Sequence, residues 1–125
     1  MPKPKNEGYL GNSQVKRAGI TEEWDDEKVQ EYLRCTRDPA YFISKYIKII
    51  SLDEGLVPFK LYEYQENLIN HFNDNRFNIV LACRQSGKSI TVCAYLLWYL
   101  LFHPEQTVAI LANKGATARE MLSRI

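Results

Sequence analysis

The sequence lacks a strong excess of either charge. Its 125 residues carry 16 lysines and arginines against 15 acidic residues, a formal net charge of +1, so no global electrostatic attraction to nucleic acid is expected. Only three cysteines occur, an odd number without metal-ligand spacing, which favours a reduced, intracellular setting over a disulfide-bonded, secreted one. Internal repeats and low-complexity tracts are also missing.

Signal-peptide and membrane-spanning patterns are missing as well. Residues 1–6 have no apolar core for a signal peptide. The longest apolar run, residues 90–102, is too short to span a bilayer. We therefore expect a soluble protein that is not secreted and has no membrane partner, with room for one compact core rather than two domains of usual size.

One segment combines a phosphate-loop sequence with the structural setting that such loops need. Residues 77–81 are apolar and β-branched, as in a buried strand, and residues 90–102 are apolar almost throughout, as in a buried helix that Pro104 ends. Between them, residues 82–89 are Ala-Cys-Arg-Gln-Ser-Gly-Lys-Ser. This matches the Walker A pattern except that Ala82 stands in place of the first glycine.

The residue types in this loop suit a nucleoside triphosphate. Gly87 lets the backbone approach a phosphate closely, and the N–H groups at the start of the following helix attract an anion. Lys88 supplies a mobile positive charge for the β- and γ-phosphates, and the Ser89 hydroxyl can ligate Mg²⁺. Arg84 is an unusual charged residue for a generic phosphate loop. The loop therefore predicts a nucleoside triphosphate and Mg²⁺ as ligands.

The order of the remaining elements predicts an α/β fold. We expect a P-loop NTPase of the RecA/ASCE type, a parallel sheet with flanking helices, incomplete and preceded by a small helical N-terminal region. Residues 1–24 are interpreted as an extended arm and residues 25–125 as the N-terminal portion of the ATPase domain. No strand after Leu111 ends in an acidic residue, so the Walker B half is expected outside the chain.

The individual elements follow from caps, turns and periodicity. Thr21 precedes the acidic start of a helix reaching about Cys35, with Val29, Tyr32 and Leu33 on its apolar face. Asp38 and Pro39 begin a short helix whose packing side is Tyr41, Phe42, Ile43 and Tyr46. The other predictions are strands over 47–51, 56–60 and 107–111, turns at 53–55 and 113–115, and helices over 62–72 and 116–125.

Several segments together resemble the large terminase subunit of tailed bacteriophages, particularly of the contractile-tailed kind. The most specific is the Arg-Gln-x-Gly-Lys-Ser loop, with Leu-x-x-Tyr-Gln about twenty residues before it. The resemblance covers nearly the whole chain from Tyr9 onward. The matching segments are Tyr9-Leu10-Gly11, Lys16-Arg17-Ala18, Trp24, Leu61-Tyr62-Glu63-Tyr64-Gln65, Cys83-Arg84-Gln85-Ser86-Gly87-Lys88-Ser89 and Ile110-Leu111-Ala112-Asn113-Lys114-Gly115.

The resemblance implies a role for each matching site residue. Lys88 and Ser89 would hold the phosphates and Mg²⁺, in a loop completed by Gln85, Ser86 and Gly87. Arg84 would act with Lys88 in catalysis by stabilising the γ-phosphate. Gln65 would recognise adenine, with Tyr64 beside it. Lys60 stands where relatives have another glutamine, so the second adenine contact departs from the family pattern.

The resemblance also implies a biological setting. The full subunit would couple ATP hydrolysis to translocation of double-stranded DNA into the prohead, as a homo-oligomeric ring on the portal protein with a small terminase subunit bringing the DNA. It would work in the cytoplasm of an infected bacterial host. The family's nuclease carboxylates have no counterpart in residues 1–125, and the 125-residue chain alone is expected to be inactive as an ATPase.

Two other functions remain open from the sequence. A helicase-like nucleic-acid-dependent ATPase also carries a glutamine upstream of its phosphate loop. A truncated protein could bind a nucleotide or a partner without catalysis. The reading frame after Ile125 separates terminase from helicase, because the first predicts a nuclease domain and the second another RecA-like domain.

Overall fold

The first described helix begins at an aspartate cap. The computed structural model describes residues 10, 15, 19, 23–51 and 53–125, and in it helix α1 is Asp26–Arg37. The Asp25 carboxylate accepts a hydrogen bond from Lys28 N at 2.8 Å, which satisfies a free N–H group of the first turn. The helix thus begins and ends later than predicted. Thr21 and most of the predicted arm of residues 1–24 lie outside the described residues.

The second helix begins where the sequence predicts it. Helix α2 is Pro39–Tyr46, and the Asp38 carboxylate accepts a hydrogen bond from Tyr41 N at 2.9 Å. Pro39 occupies the first helical position, where its missing N–H group costs nothing. Ile43 is fully buried on this helix, whereas Tyr46 is half exposed, so only part of the predicted aromatic packing side enters the core.

A β-hairpin follows α2 and confirms the next two predicted extended segments. Strands β1 (Lys48–Ser51) and β2 (Gly55–Pro58) pair antiparallel, from Lys48 opposite Pro58 to Ser51 opposite Gly55. Gly55 has a φ of +73°, a left-handed conformation that glycine adopts without steric cost and that suits the predicted turn. The hairpin delivers Phe59 into the core directly after β2.

Three further helices complete the described chain: α3 (Glu63–Asp74), α4 (Lys88–Phe102) and α5 (Gly115–Ser123). Helix α4 ends as predicted, with His103 N donating to Tyr99 O at 3.0 Å just before Pro104. On α3 the buried residues are Gln65 and Ile69, whereas Tyr64 is half exposed.

The core lies among α2, α3, α4 and the residue that follows β2. The chain divides between Gln30 and Glu31 into two units, and the core belongs to the second, Glu31–Ile125. Its buried members are Ile43, Phe59, Ile69 and Ala94. One buried polar bond joins α4 to α1, because Trp98 Nε1 donates to the main-chain oxygen of Cys35 at 2.7 Å.

The two predicted strands around α4 are not paired in a sheet among the described residues. Over the described ranges, β1 and β2 form the sheet that the structure contains, and residues 77–81 and 107–111 have no ladder partner. The side chains of Ile79 and Leu81 are fully exposed. A strand exists only through hydrogen bonds to a neighbour, so the parallel sheet of a P-loop fold stays a prediction.

Helix length bears on whether a segment can cross a bilayer, which takes about 20 apolar residues. The longest, α4, has 15 residues. Within the part of the chain that the structure describes, none is long and apolar enough to cross a membrane.

Candidate functional site

The predicted phosphate loop is a tightly curled segment that leads directly into α4. Gln85 and Gly87 both have left-handed backbone conformations, with φ values of +60° and +73°. The main-chain oxygen of Cys83 accepts hydrogen bonds from Ser86 Oγ and Lys88 Nζ, each at 3.0 Å. Left-handed residues alternating with other conformations turn successive N–H groups toward one side, which is the geometry of an anion-binding concavity.

The start of α4 adds further hydrogen-bond donors. The first main-chain bond of the helix runs from Thr91 N to Gly87 O at 3.1 Å, and Thr91 Oγ1 donates to the same oxygen at 3.0 Å. The N–H groups of Lys88, Ser89 and Ile90 therefore precede the hydrogen-bonded part of the helix. Together with the positive end of the helix dipole, they favour an anion at this position.

A pocket of about 180 Å³ lies at the loop. Six consecutive residues from Gln85 to Ile90 line it, together with Arg124, the residue that follows α5. Arg124 also forms an ion pair with Glu120, with 2.6 Å between Arg124 Nη2 and Glu120 Oε1. Arg124 could not be predicted from the sequence, because nothing in the motif connects a residue near position 125 with the loop.

Of the predicted phosphate-binding residues, five line this pocket and one does not. Gln85, Ser86, Gly87, Lys88 and Ser89 are brought together. Arg84 is exposed instead, and within the described ranges its side chain makes no hydrogen bond or ion pair. The geometry therefore supports phosphate binding by the five more directly than it supports a γ-phosphate contact by Arg84.

Gln65 lies behind the loop and is buried. Only 2% of its surface is exposed, so Gln65 is not a solvent-exposed polar residue of α3. Gln65 Oε1 accepts a hydrogen bond from Tyr62 N at 3.0 Å, which caps α3. A Cβ atom placed on Gly87 would lie 2.7 Å from Gln65 Nε2. The structure thus brings Gln65 to the phosphate loop, although Gln65 does not line the pocket.

Tyr64 is also joined to the loop. Its hydroxyl donates a hydrogen bond to the main-chain oxygen of Ser86, and its ring stacks on that of Tyr62 with 5.8 Å between centroids and 9° between planes. The sequence analysis placed Tyr64 beside Gln65 but did not predict the contact with Ser86. Lys60 is exposed, and its N–H group donates to Pro58 O at 3.0 Å.

The residues present fit a Mg²⁺ ion bound together with a triphosphate. Ser89 lines the pocket, and among the described residues its hydroxyl has no hydrogen-bond partner. Within the same ranges no group of three or more His, Cys, Asp or Glu side chains could hold a metal ion. A nucleotide-bound Mg²⁺ does not require such a group, since phosphates and water supply most of its oxygen ligands.

A carboxylate of α1 accepts several hydrogen bonds from α2. The Glu31 carboxylate accepts hydrogen bonds from Lys45 Nζ at 2.6 Å, Tyr46 Oη at 2.8 Å and Tyr41 Oη at 3.1 Å. The bonds from Lys45 and Tyr46 are the main reason that the pKa of Glu31 falls to about 2. The same carboxylate raises the pKa of both Lys45 and Tyr46. We call these four residues the Glu31 cluster.

The three cysteines differ in their surroundings. Cys83 is exposed on the phosphate loop, whereas Cys35 and Cys93 are buried. Burial raises the pKa of both buried thiols, because a thiolate is poorly solvated there. The loop thiol is therefore the accessible one.

Comparison with known protein families gives no assignment, since no family model matches the chain.

Proposed function

We propose that the chain binds Mg²⁺-ATP and forms the nucleotide-binding portion of a DNA-packaging ATPase, the large terminase subunit of a tailed bacteriophage. The observation that carries the proposal is the loop at residues 82–89, where left-handed Gly87 leads into a helix whose first residue is Lys88. The pocket beside it is lined by the residues that the motif assigns to phosphate.

The ligand class follows from the donors around the pocket. Unpaired N–H groups at the start of α4, the Lys88 ammonium and the Arg124 guanidinium all favour a polyanion. Lys88 now donates to Cys83 O, and its ammonium has three hydrogens, so it can keep that bond while it contacts a phosphate oxygen. Ser89 would hold Mg²⁺, and the bound ion would supply charge neutralisation between the β- and γ-phosphates.

The remaining parts of the proposal rest on the resemblance. Gln65 is assigned to adenine recognition and Arg84 to the γ-phosphate in the transition state. Double-stranded DNA, the portal protein and the small terminase subunit are the proposed partners of the whole subunit, as a ring in the infected cell. The P-loop sheet of that subunit would use residues 77–81 and 107–111 as strands.

Calorimetric titration with Mg²⁺-ATP tests the nucleotide site. We expect wild-type protein to bind and Lys88→Ala to bind about 10- to 100-fold more weakly, since hydrogen bonds to charged groups contribute about 1.5–3 kcal/mol. Lys114→Ala is the matched control, because Lys114 is exposed and does not line the pocket. Equal affinities for wild type and Lys88→Ala would refute the proposed site.

A second variant tests whether binding requires the compact shape of the Lys88 ammonium as well as its charge. Lys88→Arg keeps the charge but replaces a compact ammonium by a larger planar guanidinium. We expect it to bind Mg²⁺-ATP nearly as weakly as Lys88→Ala, and full affinity would mean that charge alone recruits the ligand.

A further inference from the structure

The contact between Tyr64 and Ser86 links two elements that are 22 residues apart in the chain. The Tyr64 hydroxyl at the start of α3 donates to the main-chain oxygen of Ser86 in the phosphate loop. Ser86 is followed by Gly87, the left-handed residue from which α4 begins. The bond therefore acts on the peptide group that joins the loop to the helix.

Because the peptide bond is planar, the contact between Tyr64 and Ser86 also fixes the direction of the Gly87 N–H group. In a trans peptide the C=O and N–H groups point in opposite directions, and the structure has no cis peptide bond among the residues that it describes. Because the Ser86 oxygen points toward Tyr64, the Gly87 N–H group points away from α3. Gly87 lines the pocket, and the lining described there comes from residues 85–90 and Arg124 rather than from α3.

Contacts with neighbouring residues order the Tyr64 side chain. Its ring stacks on Tyr62, and the turn that carries both rings is closed by the bond from Tyr62 N to Gln65 Oε1. Helix α3 is in turn fixed to the core by Ile69, which is fully buried. A donor that is already ordered loses little conformational entropy when it holds a loop.

We propose that Tyr64 is a positioning residue of the nucleotide site: its hydroxyl fixes the Ser86–Gly87 peptide so that the Gly87 N–H group faces the phosphates. This rests on the proposed function and assigns Tyr64 to the polyphosphate part of the ligand rather than to the base. An oriented donor binds an anion more tightly than one that must first rotate, because the cost of ordering is removed before binding.

Inorganic tripolyphosphate with Mg²⁺ is the probe, because it has no base. Tyr64→Phe keeps the ring and its stacking but removes the hydroxyl. Tyr62→Phe is the matched control, since it removes the hydroxyl of the neighbouring tyrosine, which is 67% exposed. We expect Tyr64→Phe to bind tripolyphosphate and ATP about fivefold more weakly, the effect of one hydrogen bond, and Tyr62→Phe to bind as wild type does.

The Gly87 amide resonance in a ¹H–¹⁵N spectrum separates positioning from general loosening of the fold. We expect Tyr64→Phe to shift this resonance and to reduce its response to tripolyphosphate, at a thermal midpoint close to that of wild type. Unchanged tripolyphosphate affinity in Tyr64→Phe, or an unmoved Gly87 resonance, would overturn the positioning role while leaving the nucleotide site intact. Failure of wild-type protein to bind tripolyphosphate would instead refute the proposed function itself.

Discussion

The side-chain nitrogen of Gln65 occupies the space that a side chain at position 87 would need. A Cβ atom on Gly87 would lie 2.7 Å from Gln65 Nε2, closer than such atoms approach each other. Gln65 cannot move away freely, because it is buried and its oxygen caps α3. Glycine at position 87 therefore satisfies two requirements at once, a positive φ and the close approach of α3 to the loop.

This relationship predicts the effect of a single methyl group. Gly87→Ala should lower the free energy of unfolding by about 1–2 kcal/mol from the left-handed φ alone, and it should weaken Mg²⁺-ATP binding because the loop must shift. Gly115→Ala is the control, since no atom lies within 4 Å of the added Cβ and its φ is not positive. Urea unfolding and calorimetric titration check both, and equal behaviour of the two variants would contradict the argument.

Gln65 gives a prediction about base selectivity. If Gln65 recognises adenine, Gln65→Ala should bring the ratio of ATP affinity to GTP affinity closer to one. The fold-change in this ratio should exceed the fold-change in affinity for tripolyphosphate. The lost α3 cap should also cost about 1 kcal/mol of stability. Gln30→Ala, at an exposed position of α1, should change neither quantity. An unchanged ATP/GTP ratio would leave Gln65 with its capping role only.

Arg84 gives a prediction about ATP turnover, to be tested on the proposed full-length ATPase subunit. Arg84 lies outside the pocket in this structure, so Arg84→Ala should leave Mg²⁺-ATP affinity nearly unchanged. If the guanidinium moves to the γ-phosphate in the transition state, turnover should fall by about 10³-fold or more, and Arg84→Lys should restore little of it. Equal losses in affinity and turnover would make Arg84 a binding residue, and no loss in either would make it a surface arginine.

The exposed thiol of Cys83 offers a direct probe of the loop. Brief treatment with iodoacetamide should modify Cys83 well before Cys35 or Cys93, because the latter two are buried and have raised pKa values. Mg²⁺-ATP should slow the modification by covering the loop. Mass spectrometry of the digested protein measures both effects. Modification at the same rate with and without nucleotide would count against the loop as the binding site.

The Glu31 cluster predicts how stability depends on acid. The pKa of Glu31 is lowered from 4.5 to about 2, so the native state favours the ionised carboxylate. Its contribution is complete above about pH 4.5 and is lost as the pH falls toward 2. Urea unfolding should show the stability difference between wild type and Glu31→Gln shrinking across that interval. Glu54→Gln, in the exposed turn of the hairpin, should show no such trend.

Local signals in the sequence predicted the helices and the hairpin well. Asp38 with Pro39, and Pro104 after an apolar run, determine helix ends through neighbouring backbone groups alone. Whether residues 77–81 and 107–111 form paired strands could not be derived in this way. Their composition favours strands, but a strand needs a partner, and none is paired with them among the described residues.

The contacts that define the site were harder to predict than the site residues themselves. The motif predicts Gly87, Lys88 and Ser89 as site residues, since their chemistry follows from residue type, and all three line one pocket. The bond from Tyr64 to Ser86 depends on how α3 docks against the loop, and no sequence spacing encodes that docking. The Glu31 cluster was missed for a related reason: Tyr41 and Tyr46 have the apolar bodies of core residues, and only the angle between α1 and α2 shows that their hydroxyls meet a carboxylate.

The buried bond from Trp98 to the Cys35 carbonyl also gives the protein an internal optical reporter. Trp98 is 2% exposed, whereas Trp24 is 59% exposed. The indole of Trp98 should therefore emit at shorter wavelength, resist quenching by acrylamide, and shift to the red only when α4 separates from α1. In a Trp24→Phe background, intrinsic emission would follow the integrity of the helix that begins at the phosphate loop, without any attached dye.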